Sequence, residues 1–253
     1  APPTWAGFSS HRLWTLANLA RPFDPCDSVL FVTANLNAGG AQRSLVNLTT
    51  TLRHPRIEIA VTGDSTAEYF LEQLDASGAR SFRAAQSRDP FDHAEAIVHK
   101  VCSDRVGVLC FWNTDPKIKL LATKFLACTG VAIVDVSPGP ASFREMSDAA
   151  GFARLVAFSE DEYYERLDRL VLKYRGSAPA SCASKVVVVP NGVAAPARAK
   201  SGYGVATGGG RVVVNGRIAP TKFLVEIVEA MALVRSRLPA AELHIFGTAE
   251  PRH

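Results

Sequence analysis

Residues 211–247 read RVVVNGRIAPTKFLVEIVEAMALVRSRLPAAELHIFG, and their periodicity decides the fold. Arg211 to Asn215 is a β-branched run, and Leu243 to Phe246 is a second short apolar run. Between them Leu224, Ile227, Val228, Met231 and Leu238 recur at helical spacing, so one face of the intervening helix is apolar. Strand, loop, helix and strand make a βαβ unit, whose two strands run parallel. The loop carries the chemistry. Arg217 and Lys222 flank the helix start, where the macrodipole is positive and a cation is locally unfavourable. A bound phosphate reverses that sign.

Upstream, the same alternation repeats. Strands are expected over residues 28–33, 57–62, 79–82, 105–111, 131–136, 155–158 and 185–190, and helices over 41–52, 66–76, 93–103, 116–128 and 160–174. Asp115 before Pro116 is an N-cap followed by proline at the first helical position. Ser159 with Glu162 forms a capping box, Tyr163, Leu167, Leu170 and Tyr174 share a helical face, and Arg175-Gly176 closes that helix. Repeated βα units with near-continuous apolar strands predict an α/β fold, a parallel sheet covered on both faces.

Ligands of such sheets sit at the carboxyl ends of the strands. The first strand runs into Asn37, Gly39, Gly40 and, in the next helix, Arg43. Two glycines at a strand-to-helix turn let a ligand approach the backbone and aim helix N–H groups at an anion, though tight αβ loops also use glycine for geometry alone. The turn is not a dinucleotide fingerprint, because G-x-G-x-x-G is absent, and no Gly-Lys-Ser/Thr follows it. Asn113 and Thr114 follow the fourth strand, and residues 137–140 follow the fifth.

The 253 residues are 47% hydrophobic and 21% charged, enough for one large or two modest domains. A net charge of +4 permits attraction to anions without requiring it. No apolar run approaches the roughly 20 residues that span a bilayer. Cys26, Cys102, Cys110, Cys128 and Cys182 are widely spaced with no Cys-x-x-Cys pair, which predicts reduced thiols and a cytoplasmic setting. Residues 8–20 suit a helix with Leu13, Leu16 and Leu19 on one side, either packed on the body or lying on a membrane surface; packing is the expectation. The histidines show no metal-ligand spacing, and aromatics do not alternate with basic residues as on a nucleic-acid surface. Neither a metal, another cofactor nor a nucleic-acid partner is expected.

Three landmarks together resemble a known family, the retaining GT-B glycosyltransferases of the large bacterial group known as family 4. Gly39-Gly40-Ala41-Gln42-Arg43 resembles its Gly-Gly-Ala-Glu-Arg turn, Pro190-Asn191-Gly192-Val193 its Pro-Asn-Gly-Val turn, and Gly216-Arg217-Ile218 with Lys222, Pro239 and Gly247 the start of its second domain. The resemblance implies an N-terminal extension over 1–27, an acceptor-side Rossmann-like domain over 28–193, a hinge over 194–210 rich in Ala, Gly, Ser and Pro, and the start of a nucleotide-sugar domain over 211–253. It implies that Arg217 and Lys222, aided by Gly39 and Gly40, hold the diphosphate of a nucleotide-diphospho-sugar. Asn37, Arg43, Asp135, Asn191 and Gly192 stand as further substrate-binding positions, with no catalytic residue assigned. The acceptor implied is a glycan or lipid-linked intermediate of envelope synthesis, in the cytoplasm or at the inner face of the membrane with peripheral contact to it. The absence of Asp-x-Asp agrees with metal-independent chemistry.

The sequence departs from the pattern in places. Gln42 replaces Glu, Phe223 replaces the Gly after the lysine, and no histidine stands near the 135–140 loop. Asp135 is then either a base or hydroxyl-binding group, or a structural carboxylate. The family's Glu-x7-Glu segment is not found, so a truncated transferase is expected. A non-catalytic relative and a sugar-nucleotide epimerase of the same fold are the alternatives.

Overall fold

The computed structural model describes residues 5–37, 39–52, 56–64, 70–137, 140–174, 178–190, 192, 210–216, 218–219 and 222–247. The chain divides into two compact units, Ala1–Val193 and Ala194–His253.

The first unit is built on strands β1 (Val29–Thr33), β2 (Ile57–Val61), β3 (Arg80–Arg83), β4 (Val108–Trp112), β5 (Ala132–Ser137), β6 (Arg169–Leu172) and β7 (Val186–Val188). They form a seven-stranded sheet in the order β3-β2-β1-β4-β5-β6-β7, every pair parallel. Its helices are α1 (Trp5–Leu19), α2 (Gly40–Thr51), α3 (Leu71–Ser77), α4 (Pro90–Asp104), α5 (Pro116–Leu126), α6 (Pro140–Asp148), α7 (Ala150–Leu155) and α8 (Glu160–Arg166). β4 is apolar throughout, and β1 is apolar up to a buried Thr33, because both of their faces are covered. Leu30, Val32, Leu109 and Phe111 face one core with Ile97, Val98, Leu120 and Leu121 from α4 and α5. Phe31, Ile59, Cys110 and Trp112 face the other with Leu45 and Val46 of α2 and Leu74 of α3.

Helix starts follow the caps. Asp89 and Asp115 each precede a proline and accept from the backbone N–H of Phe91 and Lys117, and the Ser159–Glu162 capping box is formed on both sides. α1 packs through Leu16, with Leu13 and Leu19 partly buried against the same core, and Arg12 pairs with Asp92 and Asp89 at the start of α4. Among the described residues, no helix is long and apolar enough to cross a membrane. All five cysteines are free thiols.

Two expectations are corrected. Residues 155–158 do not form a strand: they are the end of α7 and a turn in which Ala157 is left-handed at φ 48. Val156 and Phe158 are buried in the helix-side core, and a short apolar run buried among helices has the same signature as a buried strand. The helix expected over 160–174 ends at Arg166, and Leu167 is extended (φ −67, ψ 143). Asp168 enforces the change. Its N–H donates to the Ile133 carbonyl at 2.8 Å and its carboxylate accepts from the Ile133 N–H at 2.7 Å, which docks the chain on β5 as β6. Leu167 and Leu170 are buried as expected, but from a loop and a strand, and Tyr174 is exposed. Residues 175–176 lie outside the described residues, as do 66–69 of the helix expected over 66–76.

The second unit contains β8 (Arg211–Asn215), α9 (Leu224–Arg237) and β9 (Glu242–Phe246), with the two strands parallel as expected of a βαβ unit. Among its described residues only Ala219, Met231 and Ala241 are buried. Of the expected inner face of α9, Met231 is covered and Val228 and Leu238 are exposed, because two strands are too narrow to cover a whole helical stripe.

Candidate functional site at the carboxyl end of the sheet

From β1 the order runs one way to β2 and β3, and the other way to β4 and β5. The connections after β1 and β4 therefore diverge, and a crevice opens at their carboxyl ends. A cleft of about 470 Å³ lies there, lined by Ala34, Asn113, Thr114, Asp115, Lys117, Glu145 and Asp148 among others.

Backbone contacts fix its floor. Ala34 N–H donates to the Asn113 carbonyl at 3.2 Å, and Thr114 Oγ1 donates to the Val32 carbonyl at 2.6 Å. Asn113 turns the chain in the left-handed region at φ 55, which asparagine tolerates better than most residues. Asp115 spends one oxygen on its N-cap bond to Lys117 N–H at 2.7 Å. Glu145 and Asp148, on α6, are exposed, and their carboxylates make no hydrogen bond or ion pair with the described residues. Three carboxylates thus line the cleft. Ionised carboxylates accept hydrogen bonds only, which suits a ligand rich in hydroxyl donors.

The β1–α2 turn borders this region. Asn35 Oδ1 accepts from Asn37 N–H and from Gln42 Nε2, both at 3.1 Å, so the glutamine ties the first turn of α2 back to the end of β1. A Cβ on Gly39 would stand 2.6 Å from Gln42 Oε1, so a larger residue there would displace the end of the glutamine side chain that bonds Asn35. A Cβ on Gly40 would meet nothing within 4 Å, so the fold leaves that position open. The Arg43 guanidinium lies 4.9 Å from the Phe70 ring centroid. Asn37 Nδ2 reaches the Asp64 carbonyl at 3.5 Å. Arg88 and Arg83 grip the Asp64 carboxylate at 2.9 and 2.8 Å and hold its pKa below the usual value, Arg88 most of all.

Asp135 belongs to the interior. Its two oxygens lie 2.9 Å from Lys119 Nζ, and Tyr163 Oη donates to Oδ2 at 2.7 Å. Burial, with the carboxylate next to it, pushes the Tyr163 hydroxyl well above its ordinary pKa, so it remains a donor. Of the two roles open to Asp135, its placement fits the structural one.

In the second unit Lys222 is exposed, with its N–H donating to the Ala219 carbonyl at 2.9 Å just before α9. Phe223, the N-cap, is left-handed at φ 52 and ψ 39. The backbone here has the geometry that glycine adopts freely, at a cost of about 1–2 kcal/mol for a residue with a Cβ. Arg217 and Asn191 lie outside the described residues; Gly192 is described, and a Cβ there would meet nothing within 4 Å. Among the described residues, no group of three or more His, Cys, Asp or Glu side chains could hold a metal ion. Sequence reasoning missed Glu145 and Asp148, because α6 begins at Pro140 inside what read as a rigid proline-glycine bend. It also missed Trp112 and Lys173, the latter assigned to the end of a helix whose last residues are in fact β6 and its exit.

No protein-family model matches the chain, and no curated protein does. Among solved structures, the chain is similar to the crystal structure of Anabaena HepE in complex with UDP and glucose. The two share 15% identity with a TM-score of 0.55, over 89% of this chain and 62% of the HepE chain. The likeness shows the fold. It is α/β of the GT-B kind, a Rossmann-like parallel-sheet domain followed in sequence by a βαβ unit of Rossmann-like pattern.

Proposed function

We propose that this protein is a glycosyltransferase that moves a sugar from a nucleotide-diphospho-sugar to an acceptor hydroxyl. The observation that carries the reading is the switch-point cleft lined by three carboxylates, on a fold shared with a protein solved with UDP and glucose. Asp115, Glu145 and Asp148 accept hydrogen bonds from acceptor hydroxyls. Lys222, with Arg217 five residues before it, binds the donor diphosphate at the start of α9. In the reaction the acceptor oxygen bonds to the anomeric carbon and passes its proton to an oxygen of the departing diphosphate. The bond from that carbon to the diphosphate oxygen breaks, and the negative charge left on the diphosphate is met by Arg217 and Lys222. No step of this scheme calls for a metal.

The motif resemblance supports the finer reading: retention at the anomeric carbon, and a glycan or lipid-linked acceptor of envelope synthesis, reached in the cytoplasm or at the membrane face. Thermal unfolding with a panel of nucleotide sugars tests the proposal. A ligand bound at 100 times its Kd stabilises by about 2.7 kcal/mol, so one or more nucleotide-diphospho-sugars raise the melting temperature by several degrees. No shift with any nucleotide sugar at millimolar concentration contradicts the proposal. Isomerisation of the sugar without transfer favours the epimerase.

A further inference from the structure

We infer that Lys173 and Trp112 form a phosphate-binding subsite in the first unit, at the carboxyl edge of the sheet. Leu172 ends β6 in register with Ser137 of β5 and Val188 of β7, so Lys173 is the first residue past that edge. Its ammonium stands 5.8 Å from the centroid of the Trp112 ring, at the end of β4. The indole is itself locked: Nε1 donates to the Ala41 carbonyl at 2.8 Å, and Phe31 packs against it edge-on at 6.2 Å. Ala41 is in the first turn of α2, so one indole adjoins both the Gly39–Gly40 turn and Lys173.

The pairing is unusual within this protein. Every other described lysine that is at least partly buried reaches an oxygen: Lys119 on Asp135, Lys100 on Glu58 and Asp104, Lys124 on the Ala157 carbonyl and Lys185 on the Glu165 carbonyl. Lys173 is also partly buried, yet among the described residues it has an aromatic face and no carboxylate or carbonyl. Burial alone lowers its pKa, with no opposing charge to restore it. An ammonium has three donors, and a ring face satisfies them weakly, so an anion is the partner that this geometry lacks. The ligand class is a phosphate or diphosphate group, borne by a nucleotide donor or by a phosphorylated acceptor. Which of the two it is rests on the transferase reading; the subsite itself does not.

The test uses the whole chain with Trp5→Phe and Trp14→Phe, which leaves Trp112 as the reporter among the three tryptophans. Titration with inorganic pyrophosphate is expected to change Trp112 emission saturably. Lys173→Met keeps the stem over the ring and is expected to weaken binding at least tenfold, while Lys173→Arg retains it. Competition by UDP assigns the subsite to a donor, and competition by phenyl phosphate in its place assigns it to a phosphorylated acceptor. Calorimetry on the chain with all its tryptophans repeats the Lys173→Met comparison without the reporter substitutions. Unchanged affinity in Lys173→Met, no response to pyrophosphate, or a response lost only with Arg217→Ala/Lys222→Ala overturns the inference. Pyrophosphate bound at Lys173 by a chain that binds no nucleotide sugar keeps the subsite and overturns the transferase.

Discussion

Leu109, Phe111 and Ile59 of the first unit are completely buried, whereas in the second Val225, Leu233 and Phe246 are 68, 73 and 56% exposed. Both units are parallel βα structures with similarly apolar strands, so composition does not make the difference. Width does. Seven strands with helices on both faces enclose two cores, while two strands with one helix cover little beyond Met231. Folding energy therefore sits chiefly in the first unit.

The largest effect expected from this contrast is in the core. Phe111→Ala should destabilise the first unit by about 3–5 kcal/mol, and Leu233→Ala should change stability by no more than about 0.5 kcal/mol. Urea unfolding checks both, and similar losses at the two positions break the comparison. Next is the buried ion pair. Asp135→Ala leaves the Lys119 ammonium buried without its partner and should cost about 3–5 kcal/mol, whereas Asp135→Leu combined with Lys119→Met should recover most of that loss.

A smaller, pH-dependent effect comes from His93, buried near the start of α4. Burial lowers its pKa most, the Ser87 backbone and the Asp92 and Asp115 carboxylates oppose that, and Arg83 adds to it. The folded pKa is depressed, so the neutral ring's contribution is present above the unfolded value of about 6.5 and is lost as pH falls below it. The urea midpoint should drop below that pH in the unaltered chain and drop less in His93→Leu. The smallest effect sharpens the view of the second unit: Phe223→Gly should relieve the left-handed strain and gain about 0.5–1 kcal/mol. A loss of stability there contradicts the strain argument.

Much of this was legible in the sequence where local signals and burial agree. The proline-preceded caps of α4 and α5, the apolar β1 and β4, and the parallel β8–α9–β9 unit each follow from residues within a few positions of one another. The failures come where a distant contact decides. Asp168 bonds to Ile133 across 35 positions and converts a helical pattern into β6. Asp135 reads as a loop carboxylate until Lys119 and Tyr163 are seen to hold it in the interior. In the candidate site, the turn at Gly39 and the positions of Asn113 and Thr114 were readable, since strand ends are. Lys173 was not, because its character depends on the oxygen it does not reach.

The proposal that a nucleotide diphosphate is held before α9 is tested most directly by calorimetric titration of the whole chain with UDP, beside the Arg217→Ala/Lys222→Ala variant. Charge-assisted contacts to phosphate contribute roughly 1.5–3 kcal/mol each, so losing both should weaken binding by about 100-fold or more. The melting temperature should remain unchanged, since Lys222 is exposed and outside both cores. Equal affinity in the variant and the unaltered chain would contradict the account.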